Sequence, residues 1–570
     1  MIDNMDPLFI SEIFCIKNRI IIGAQTDLDE KIQNCINIGD LILKSFRSNP
    51  NFIGQVDGET GEKNTFQDMR EKTVKCALWM QSLGVKPNDV VMICTNNQLD
   101  AYVPFLATLY IGAVVSPLDH LFNLDMIDFF IEKVRPVMLF INEIFYRRVH
   151  DIINHVQIFK NQSQHPIPTI IIFHNKKKNV QTNEYTTNED LLTLDDILNH
   201  YYHPFSIEYF SCAKVTHMKS TAMRLFTPGT TSFPVQIYIP HLAFMAPSNQ
   251  HAPDMRKNDT ALLLESLCYI NSIFMTIQAI LLQVKVIRIK KLFFPKIVCQ
   301  IIEKYKVTWV YFESNMCYRL IKCYQNLSKY NISSLRTIVF SGSTVNSIDL
   351  TLSFSLLLPN VSILQAYSLT ETGIIAYQRQ PGKVGSSGFV SADVQLKIIS
   401  LHGPDQSLGP YEYGQVCCIS PYMLTSYLKY NSEQPEDWFK TGDTGCYDLD
   451  GDIFIDDKIN QHVHIGNFQV SPTSPVANLL QVHRAVLEAT VIPVPIPNNM
   501  QCFVAIIVKL PGAEVTEMEI KRFLTETCNC RFNLGRVIFT QIYPCHSNGK
   551  INIRFLSNMA RSKYWDLHNV

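Results

Sequence analysis

The chain has 570 residues, of which 46% are hydrophobic and 18% charged, and its formal net charge is −1 with a pI near 6.9. This length exceeds what one core ordinarily holds, so at least two domains are expected, and the composition excludes a disordered chain. A charge this close to neutral gives no general attraction to nucleic acid or to anionic lipid.

The cysteines and the residues at the two ends of the chain indicate the cellular compartment of the protein. The sixteen cysteines are scattered without the paired spacing of a metal site, so they are interpreted as reduced intracellular thiols. Asp3 and Asp6 stand where a signal peptide would carry basic residues, and no apolar run reaches the roughly eighteen residues of a membrane span. The last residues, 568–570, differ from a Ser-Lys-Leu peroxisomal address. A soluble intracellular protein without a transmembrane segment is predicted.

The first elements alternate between helices and apolar strands. Residues 51–64 resemble a hairpin around Asp57 and Gly58, and Thr65 then opens a helix with Asp68 at capping-box spacing. Continuous apolar strands separated by helices indicate βαβ units and a parallel sheet covered on both faces. The further elements predicted before residue 175 are a strand at 90–94, a helix at 99–111, an extended segment at 113–117, a helix at 124–133 and strands at 137–141 and 170–173.

A strand, a tight polar loop and a second strand are predicted over residues 225–241, which read LFTPGTTSFPVQIYIPH. The loop is rich in hydroxyl side chains and contains one glycine, so backbone N–H groups and hydroxyls could wrap an anion there. An ordinary hairpin turn has the same composition, and the loop taken alone favours that simpler interpretation.

The alternation continues beyond the loop. Ligands of parallel sheets bind at the carboxyl ends of strands, which places the loop after 225 and the segment Ser341, Gly342 and Ser343 at candidate site positions. The predicted elements in this part are strands at 261–264, 284–287, 307–312 and 361–364, a helix at 294–305, and, nearer the C-terminus, helices at 474–481 and 517–525 with strands at 489–494 and 503–508.

Five motifs resemble those of the adenylate-forming superfamily, which contains acyl-CoA synthetases, 4-coumarate–CoA ligases and beetle luciferases. They occur in the family's order over roughly residues 50 to 560, and the ordered set is far more specific than any one motif. The matching segments are FTPGTTSFP (226–234) for the phosphate loop TSGTTGxPK, QAYSLTETG (365–373) for YGLTET, WFKTGD (438–443) for W-x-x-TGD, residues 455–470 for the hinge and following strand, and SNGK (547–550) for the C-terminal SGK.

The resemblance implies an α/β fold with a large N-terminal domain of doubly wound βαβ sheets and a small α+β C-terminal lid domain. The large domain would span residues 1–455 and the lid 456–570, with a hinge near 456–459. In the family the lid rotates between two half-reactions, and such gating by a lid is physically ordinary. Many relatives are peroxisomal, so the resemblance leaves a peroxisomal or a cytoplasmic location open.

The resemblance also implies ligands and site residues. ATP, Mg²⁺, coenzyme A and a small carboxylic acid are the expected ligands, and no nucleic acid is expected. The implied catalytic residues are Lys550, Glu371, which would hold Mg²⁺, and Thr230. The implied contacts to ATP or AMP are Thr227, Gly229, Thr230, Thr231, Gly342, Tyr367, Thr370, Asp443 and Lys458. The implied acyl pocket contains Cys268, Tyr269, Ser341 and Ser343.

Each of these residues also has an ordinary structural explanation. Glu371 could be a carboxylate at a helix N-terminus, Asp443 a turn residue and Lys550 an exposed side chain on a loop. Taken singly, the structural explanation is favoured for each. In the ordered set of motifs the functional one is favoured.

Several positions depart from the family pattern. Val235 stands where the phosphate loop has a lysine, Ser232 replaces a glycine, and Lys458 replaces the arginine of the hinge. A lysine offers a point charge where an arginine offers a planar fork, so that exchange changes a bidentate contact. The segment around Cys268 and Tyr269 lacks the family's histidine.

These departures leave three hypotheses. The first is an ATP-dependent acid–CoA ligase for a fatty or aromatic carboxylate, with slow turnover. The second is a catalytically impaired protein of the same fold that binds nucleotide or acyl-adenylate. The third and weakest is a luciferase-like monooxygenase, since a shared fold does not separate these activities.

Overall fold

We describe the protein from a computed structural model. It describes residues 14–24, 37–119, 127–146, 148–151, 168–173, 192–227, 234–246, 252–290, 293–323, 328–342, 347–420, 423, 438–459, 463–465, 468–470, 473–496, 500–527, 534–544 and 551–565.

Strands dominate the described residues. In chain order they are β1 (Phe14–Lys17), β2 (Ile20–Gly23), β3 (Ile53–Asp57), β4 (Lys63–Thr65), β5 (Val90–Thr95), β6 (Val114–Asp119), β7 (Met138–Asn142), β8 (Thr169–Phe173), β9 (Thr221–Phe226), β10 (Gln236–Pro240), β11 (Thr260–Leu263), β12 (Lys285–Arg288), β13 (Trp309–Glu313), β14 (Thr337–Ser341), β15 (Ser362–Leu369), β16 (Gly373–Tyr377), β17 (Phe389–Val390), β18 (Gln395–Ile399), β19 (Gly414–Ile419), β20 (Phe439–Tyr447), β21 (Ile453–Lys458), β22 (Val463–Ile465), β23 (Phe468–Val470), β24 (Val486–Ile496), β25 (Met500–Lys509) and β26 (Leu534–Thr540).

Helices cover the sheets and connect most of their parallel strands. They are α1 (Ile38–Ser48), α2 (Phe66–Ser82), α3 (Tyr102–Tyr110), α4 (Ile127–Val134), α5 (Leu194–Asn199), α6 (Pro204–Glu208), α7 (Leu242–Met245), α8 (Ile270–Leu282), α9 (Pro295–Tyr305), α10 (Ser314–Lys322), α11 (Ser347–Leu357), α12 (Thr473–Val482), α13 (Glu517–Thr527) and α14 (Ile553–Trp565), with short 3₁₀ turns at Leu99–Ala101 and Glu143–Phe145.

Two sheets built largely from parallel strands form the main body. In the six-stranded sheet the order is β10-β9-β6-β5-β7-β8, and only the edge strand β10 runs antiparallel to its neighbour. The nine-stranded sheet has the order β17-β16-β15-β14-β13-β11-β12-β3-β4, with six consecutive parallel strands from β15 to β3. The parallel strands carry apolar side chains on both faces, as expected for sheets that helices cover on each side.

A third sheet of the large N-terminal part has six antiparallel strands, in the order β1-β2-β18-β19-β20-β21. It pairs strands from the first 25 residues with strands beyond residue 394, and its inner face joins a core that includes Ile21, Leu396 and Val416. This sheet was not predicted from the sequence.

The C-terminal part is smaller. Its three-stranded sheet, β24-β25-β26, is packed by α12 and α13 on one face and by α14 on the other. The molecule is therefore a mixed α/β protein with large sheets and a smaller α+β C-terminal region, as predicted. The boundary at 455 and the hinge near 456–459 stay predictions; residues 456–458 are the last three of β21.

Local predictions were confirmed where short-range chemistry decides the structure. Thr65 caps α2, accepting from the N–H of Asp68 at 3.2 Å while the Asp68 carboxylate accepts from the N–H of Thr65 at 2.8 Å. Two boundaries were wrong. The helix predicted at 99–111 begins as a 3₁₀ turn, and the strand predicted at 361–364 continues to Leu369 because β16 pairs with its second half. No described helix is long and apolar enough to cross a membrane.

Candidate active site

The base of the predicted phosphate loop is closed by two hydrogen bonds. The N–H of Thr227 donates to the carbonyl of Val235 at 2.9 Å, and the N–H of Val235 donates to Oγ1 of Thr227 at 3.1 Å. These bonds join the end of β9 to the start of β10, and they hold the ends of the loop together. The Val235 side chain is 54% exposed, so an apolar group lies at the position where the family pattern has a lysine.

Asp443 is the centre of the second part of the site. It lies in β20 opposite Lys458 of β21, and Lys458 Nζ is 2.6 Å from its Oδ1. The hydroxyl of Tyr367 donates to Oδ2 at 2.6 Å, so both carboxylate oxygens are engaged. Asp443 is only 3% exposed, whereas Lys458 is partly exposed, so the pair is open to solvent on the lysine side.

This contact connects two sheets. Tyr367 belongs to β15 of the nine-stranded sheet, whereas Asp443 belongs to the antiparallel sheet. Burial raises the pKa of Tyr367, and the neighbouring Asp443 raises it further, so the phenol keeps its proton and remains a donor. The structure therefore brings Tyr367 together with Asp443 and Lys458, which lie far from it in the sequence on two consecutive strands.

Thr370 and Glu371 follow directly after β15, in the turn that leads to β16. The Glu371 carboxylate and that of Asp443 both act on the buried thiol of Cys418, whose pKa they raise in addition to the larger effect of burial. Glu371 and Asp443 are thus near the same residue. No group of three or more His, Cys, Asp or Glu side chains suited to a metal ion occurs within the part of the chain described.

Gly342 lies at the carboxyl end of β14 with φ near +118°. A Cβ built on it would be 1.9 Å from Glu313 Oε2, so only glycine fits both the backbone conformation and this close approach. Glu313 ends β13 and is paired in register with Ser341, the last residue of β14. The predicted site residues Ser341 and Gly342 therefore lie against a buried carboxylate.

A group of polar side chains continues from that carboxylate across the sheet edge. Asn271 Nδ2 donates to the hydroxyl of Tyr311 at 2.7 Å and to Oγ of Ser368 at 3.0 Å. Tyr311 is also hydrogen-bonded by Ser341. Burial raises the pKa of Tyr311, and the nearby carboxylates of Glu265 and Glu313 raise it further. We call this set the polar cluster, and its members are Glu265, Asn271, Tyr311, Glu313, Ser341 and Ser368.

Cys268 and Tyr269 lie in the turn between β11 and α8, at the same edge of the sheet. Cys268 Sγ is 2.8 Å from Oγ of Ser266, and Tyr269 is the residue before the first turn of α8. Asn271, a member of the polar cluster, follows two residues later, and Tyr311, to which it donates, is the residue that Ser341 contacts. The predicted site residues Gly229, Thr230, Thr231, Ser343 and Lys550 lie outside the described residues.

Most members of the polar cluster were not predicted from the sequence. A signal was present, since the apolar segments ALLLE and WVYFE end in Glu265 and Glu313 at the carboxyl edge where ligands bind. His241, which directly follows β10 and is 5% exposed, was not predicted either. Burial lowers the pKa of His241 to about 4, so its imidazole is neutral at pH 7.

The chain is similar in sequence to known proteins of one family. The family model described as "AMP-binding enzyme" matches residues 44–428, more than half of the chain. The chain is 25% identical over 516 residues to 4-coumarate–CoA ligase 3 of Oryza sativa subsp. japonica, covering 87% of each protein. It is 23% identical over 551 residues to 4-coumarate–CoA ligase CCL1 of Humulus lupulus, covering 89% of this chain and 90% of the relative.

Solved structures share the fold at low sequence identity. ATP-bound MatB from Rhodopseudomonas palustris is 18% identical with a TM-score of 0.74, covering 93% of this chain and 100% of MatB. The luciferase-like enzyme from the nonluminescent Zophobas morio mealworm is 24% identical with a TM-score of 0.65, covering 77% of this chain and 99% of that enzyme. The sequence match and the shared adenylate-forming fold agree: the chain belongs to the AMP-binding enzyme family.

Proposed function

We propose that this protein is an ATP-dependent acid–CoA ligase. It converts a fatty or aromatic carboxylate to an acyl-adenylate and then transfers the acyl group to coenzyme A. The observation that carries the proposal is the contact of Asp443 with Tyr367 and Lys458, each at 2.6 Å. This contact supports the proposal because it brings together an acceptor, an aromatic ring and a cation that the family motifs assign to the nucleotide, as they also assign Glu371.

In the first step a carboxylate oxygen of the acid attacks the α-phosphorus of ATP, and pyrophosphate leaves. Two anions must approach each other, so the site has to supply cations and N–H donors. Asp443 would accept hydrogen bonds from the ribose hydroxyls, because an ionised carboxylate has two acceptor oxygens. Lys458 stands beside it as a cation, and the ring of Tyr367 would stack on adenine.

The charge of the phosphates would be balanced by a metal ion and by the phosphate loop. Mg²⁺ is usually bound by one or two protein carboxylates together with phosphate oxygens of the substrate. Glu371 would provide the carboxylate. Thr227, Gly229, Thr230 and Thr231 would surround the phosphates with N–H and hydroxyl groups, with Gly342 and Thr370 completing the nucleotide contacts. Lys550 would neutralise the charge that develops during adenylation.

In the second step the thiol of coenzyme A attacks the acyl carbon, and AMP leaves. We place the hinge for the accompanying rotation near 456–459, at the end of the strand that carries Lys458. Relatives named as 4-coumarate–CoA ligases support this two-step reaction.

The resemblance suggests either a peroxisomal or a cytoplasmic location. Fluorescence microscopy of a tagged chain distinguishes between the two locations.

A second candidate function is binding without turnover. The observation that favours it is Val235, whose exposed apolar side chain replaces a cation at the exit of the phosphate loop. A missing donor or cation at a transition state costs about two to three powers of ten in rate. The nucleotide contacts around Asp443 would remain usable in such a protein.

ATP–pyrophosphate exchange, measured with a panel of fatty and aromatic acids, tests the ligase. Acid-dependent exchange, followed by acyl-CoA formation when coenzyme A is added, is the expected result. If ATP binds and no acid supports exchange, the ligase proposal is wrong and the binding protein is supported. The weakest alternative, a luciferase-like monooxygenase, requires light or oxygen uptake with an adenylated substrate, and neither is expected.

A further inference from the structure

The C-terminal region touches the main body at the last turn of α10, and charged side chains meet there. Glu488 of β24 acts on the guanidinium of Arg319 in α10 and on the thiol of Cys323 directly after it. Lys322 of α10 acts on the imidazole of His483, which directly follows α12. Since α10 precedes the proposed hinge and β24 follows it, a rotation there would separate these groups. We call this meeting of α10 with β24 and His483 the α10 contact.

The carboxyl group of Glu488 is poorly satisfied in the α10 contact. Glu488 is 5% exposed, and its Oε1 is buried without a hydrogen-bond partner in the described part of the chain. The guanidinium of Arg319 lies over the ring of Phe293, 5.6 Å from the ring centroid, so it offers Glu488 a favourable charge while its planar group faces the ring. Burial raises the pKa of Glu488 above 4.5. Although β25, α12 and α14 also pack on β24, Arg319 is the one charge within the described residues that opposes this shift. An ionised carboxylate therefore has a free-energy cost here that water would remove.

His483 is the second titratable group of the α10 contact, and it acts at the acid end. Burial lowers the pKa of His483 below its ordinary value, and the cation of Arg484 lowers it further. Glu519 raises this pKa, whereas Lys322 of α10 lowers it. The imidazole is therefore neutral near pH 7 and repels Lys322 only in acid. Near neutral pH the charge that opposes the contact is the carboxylate of Glu488.

From these observations, and resting on the proposed function and its hinge, we propose that protonation of Glu488 controls how firmly the C-terminal region is held on α10. The neutral carboxyl group favours the contact, and the carboxylate favours release, because a rotation at 456–459 returns it to water. The contact raises the pKa of Glu488, so the held arrangement binds the proton more tightly than the released one. The ratio of held to released molecules therefore falls as the pH rises from 4.5 through the raised pKa, and this group no longer changes it above that pKa.

Amide hydrogen exchange of α10, measured by mass spectrometry on the protein alone, tests the proposal. Glu488→Gln keeps a neutral side chain at every pH, and Glu514→Gln, at an exposed position of the C-terminal region, is the matched control. At pH 8 we expect α10 to exchange more slowly in Glu488→Gln than in the control. The difference reaches up to about tenfold for each pH unit by which the contact raises the pKa of Glu488. Toward pH 4.5 the difference should disappear, because the contact keeps the carboxyl group of the control protonated.

The place of the measurement separates the contact from general stability. α10 lies in the main body and carries neither substitution, so its exchange reports whether the C-terminal region is held on it. The same comparison on α3, which packs on α1 and α2, should show no difference. Effects of His483 are common to both variants at each pH and cancel. Equal exchange of α10 in the two variants at pH 8, or a difference that persists unchanged at pH 4.5, overturns the proposal.

A double-mutant cycle tests whether Arg319 acts through Glu488. Arg319→Gln removes the cation that favours the ionised carboxylate, so at pH 8 it should speed the exchange of α10 in the natural chain and do so much less in Glu488→Gln. Loss of the contact with Phe293 occurs in both backgrounds and cancels. An equal effect in both backgrounds overturns the proposal. Absence of ATP–pyrophosphate exchange would contradict the ligase function and would leave these measurements unchanged, because they use neither nucleotide nor acid substrate.

Discussion

At the scale of single residues, the carboxylate of Asp443 is the group that we propose to bind the ribose of the nucleotide. Its two oxygens are held by a tyrosine hydroxyl and a lysine ammonium that come from different strands. A ribose would have to share these oxygens, because each carboxylate oxygen can accept more than one hydrogen bond. Holding the carboxylate rigid before the nucleotide arrives reduces the entropy that binding costs.

Asp443→Asn should therefore weaken ATP binding. The amide keeps the shape but loses the charge and one acceptor, and we expect Kd for ATP to rise roughly tenfold to a hundredfold. Calorimetric titration measures it. Asp405→Asn is the matched control, because Asp405 also pairs with a lysine, Lys440, at 2.7 Å but on the exposed surface. An equal effect of the two substitutions would show that Asp443 has no special role in binding.

Val235→Lys should restore a cation at the exit of the phosphate loop. The backbone bonds of Val235 to Thr227 do not involve its side chain, and the position is exposed, so the substitution fits without repacking. Since one such group is worth about two to three powers of ten in rate, we expect exchange to increase at least about tenfold. Val235→Met, of similar length but uncharged, should not increase it. No gain from lysine would contradict a role for charge at this position.

At the scale of elements, the sequence predicted what is local. The capping box of Thr65 and Asp68 and the hairpin of β3 and β4 depend on residues a few positions apart, and both are present. The pairing of β2 with β18 joins Ile22 to Gln395, and nothing in either segment specifies the other. The polar cluster was missed for the same reason, because Tyr311 and Ser341 lie in two strands, and Glu265 just after a third, that come together only in the sheet. Motif order supplied Tyr367 and Asp443, but not the hydrogen bond between them.

Arg288 shows how elements are joined in the interior. It ends β12, is 2% exposed, and donates to Gln55 of β3 at 3.2 Å, to Asn97 after β5 at 2.7 Å and to Thr276 of α8 at 2.7 Å. Burial lowers its pKa to about 10, so the guanidinium stays charged at neutral pH. One side chain thus connects the two parallel-stranded sheets and a helix by hydrogen bonds.

Arg288→Met should therefore destabilise the protein strongly. The methionine fills much of the volume but leaves the oxygens of Gln55 and Asn97 buried without a donor, at a cost of about 3 kcal/mol or more. Urea unfolding followed by circular dichroism measures it. Arg256→Met is the control, because Arg256 pairs with Asp254 at a largely exposed position, where such pairs contribute about 0–1 kcal/mol. Similar losses for the two variants would mean that the buried contacts contribute little.

At the scale of the whole molecule, the C-terminal region meets the main body through α10 and β24. Glu488 of β24 is buried, and Arg319 of α10 is the charge that favours its ionised form. Burial nevertheless dominates and raises the pKa of Glu488 above its ordinary value of 4.5. This contact therefore carries an electrostatic cost wherever the carboxyl group is ionised.

The sign of the pH dependence follows from this raised pKa. Below about pH 4.5 the carboxyl group is neutral in both the folded and the unfolded chain, and burial costs little charge desolvation. As the pH rises above that value, the unfolded chain releases the proton more readily than the folded one, so this group's contribution to the free energy of unfolding falls. Glu488→Gln removes the effect. Thermal unfolding from pH 4.5 to 8 should show the variant gaining stability relative to the natural chain as the pH rises, whereas Glu514→Gln should differ from it by a constant amount. A constant difference for Glu488→Gln as well would mean that Arg319 fully compensates the buried charge.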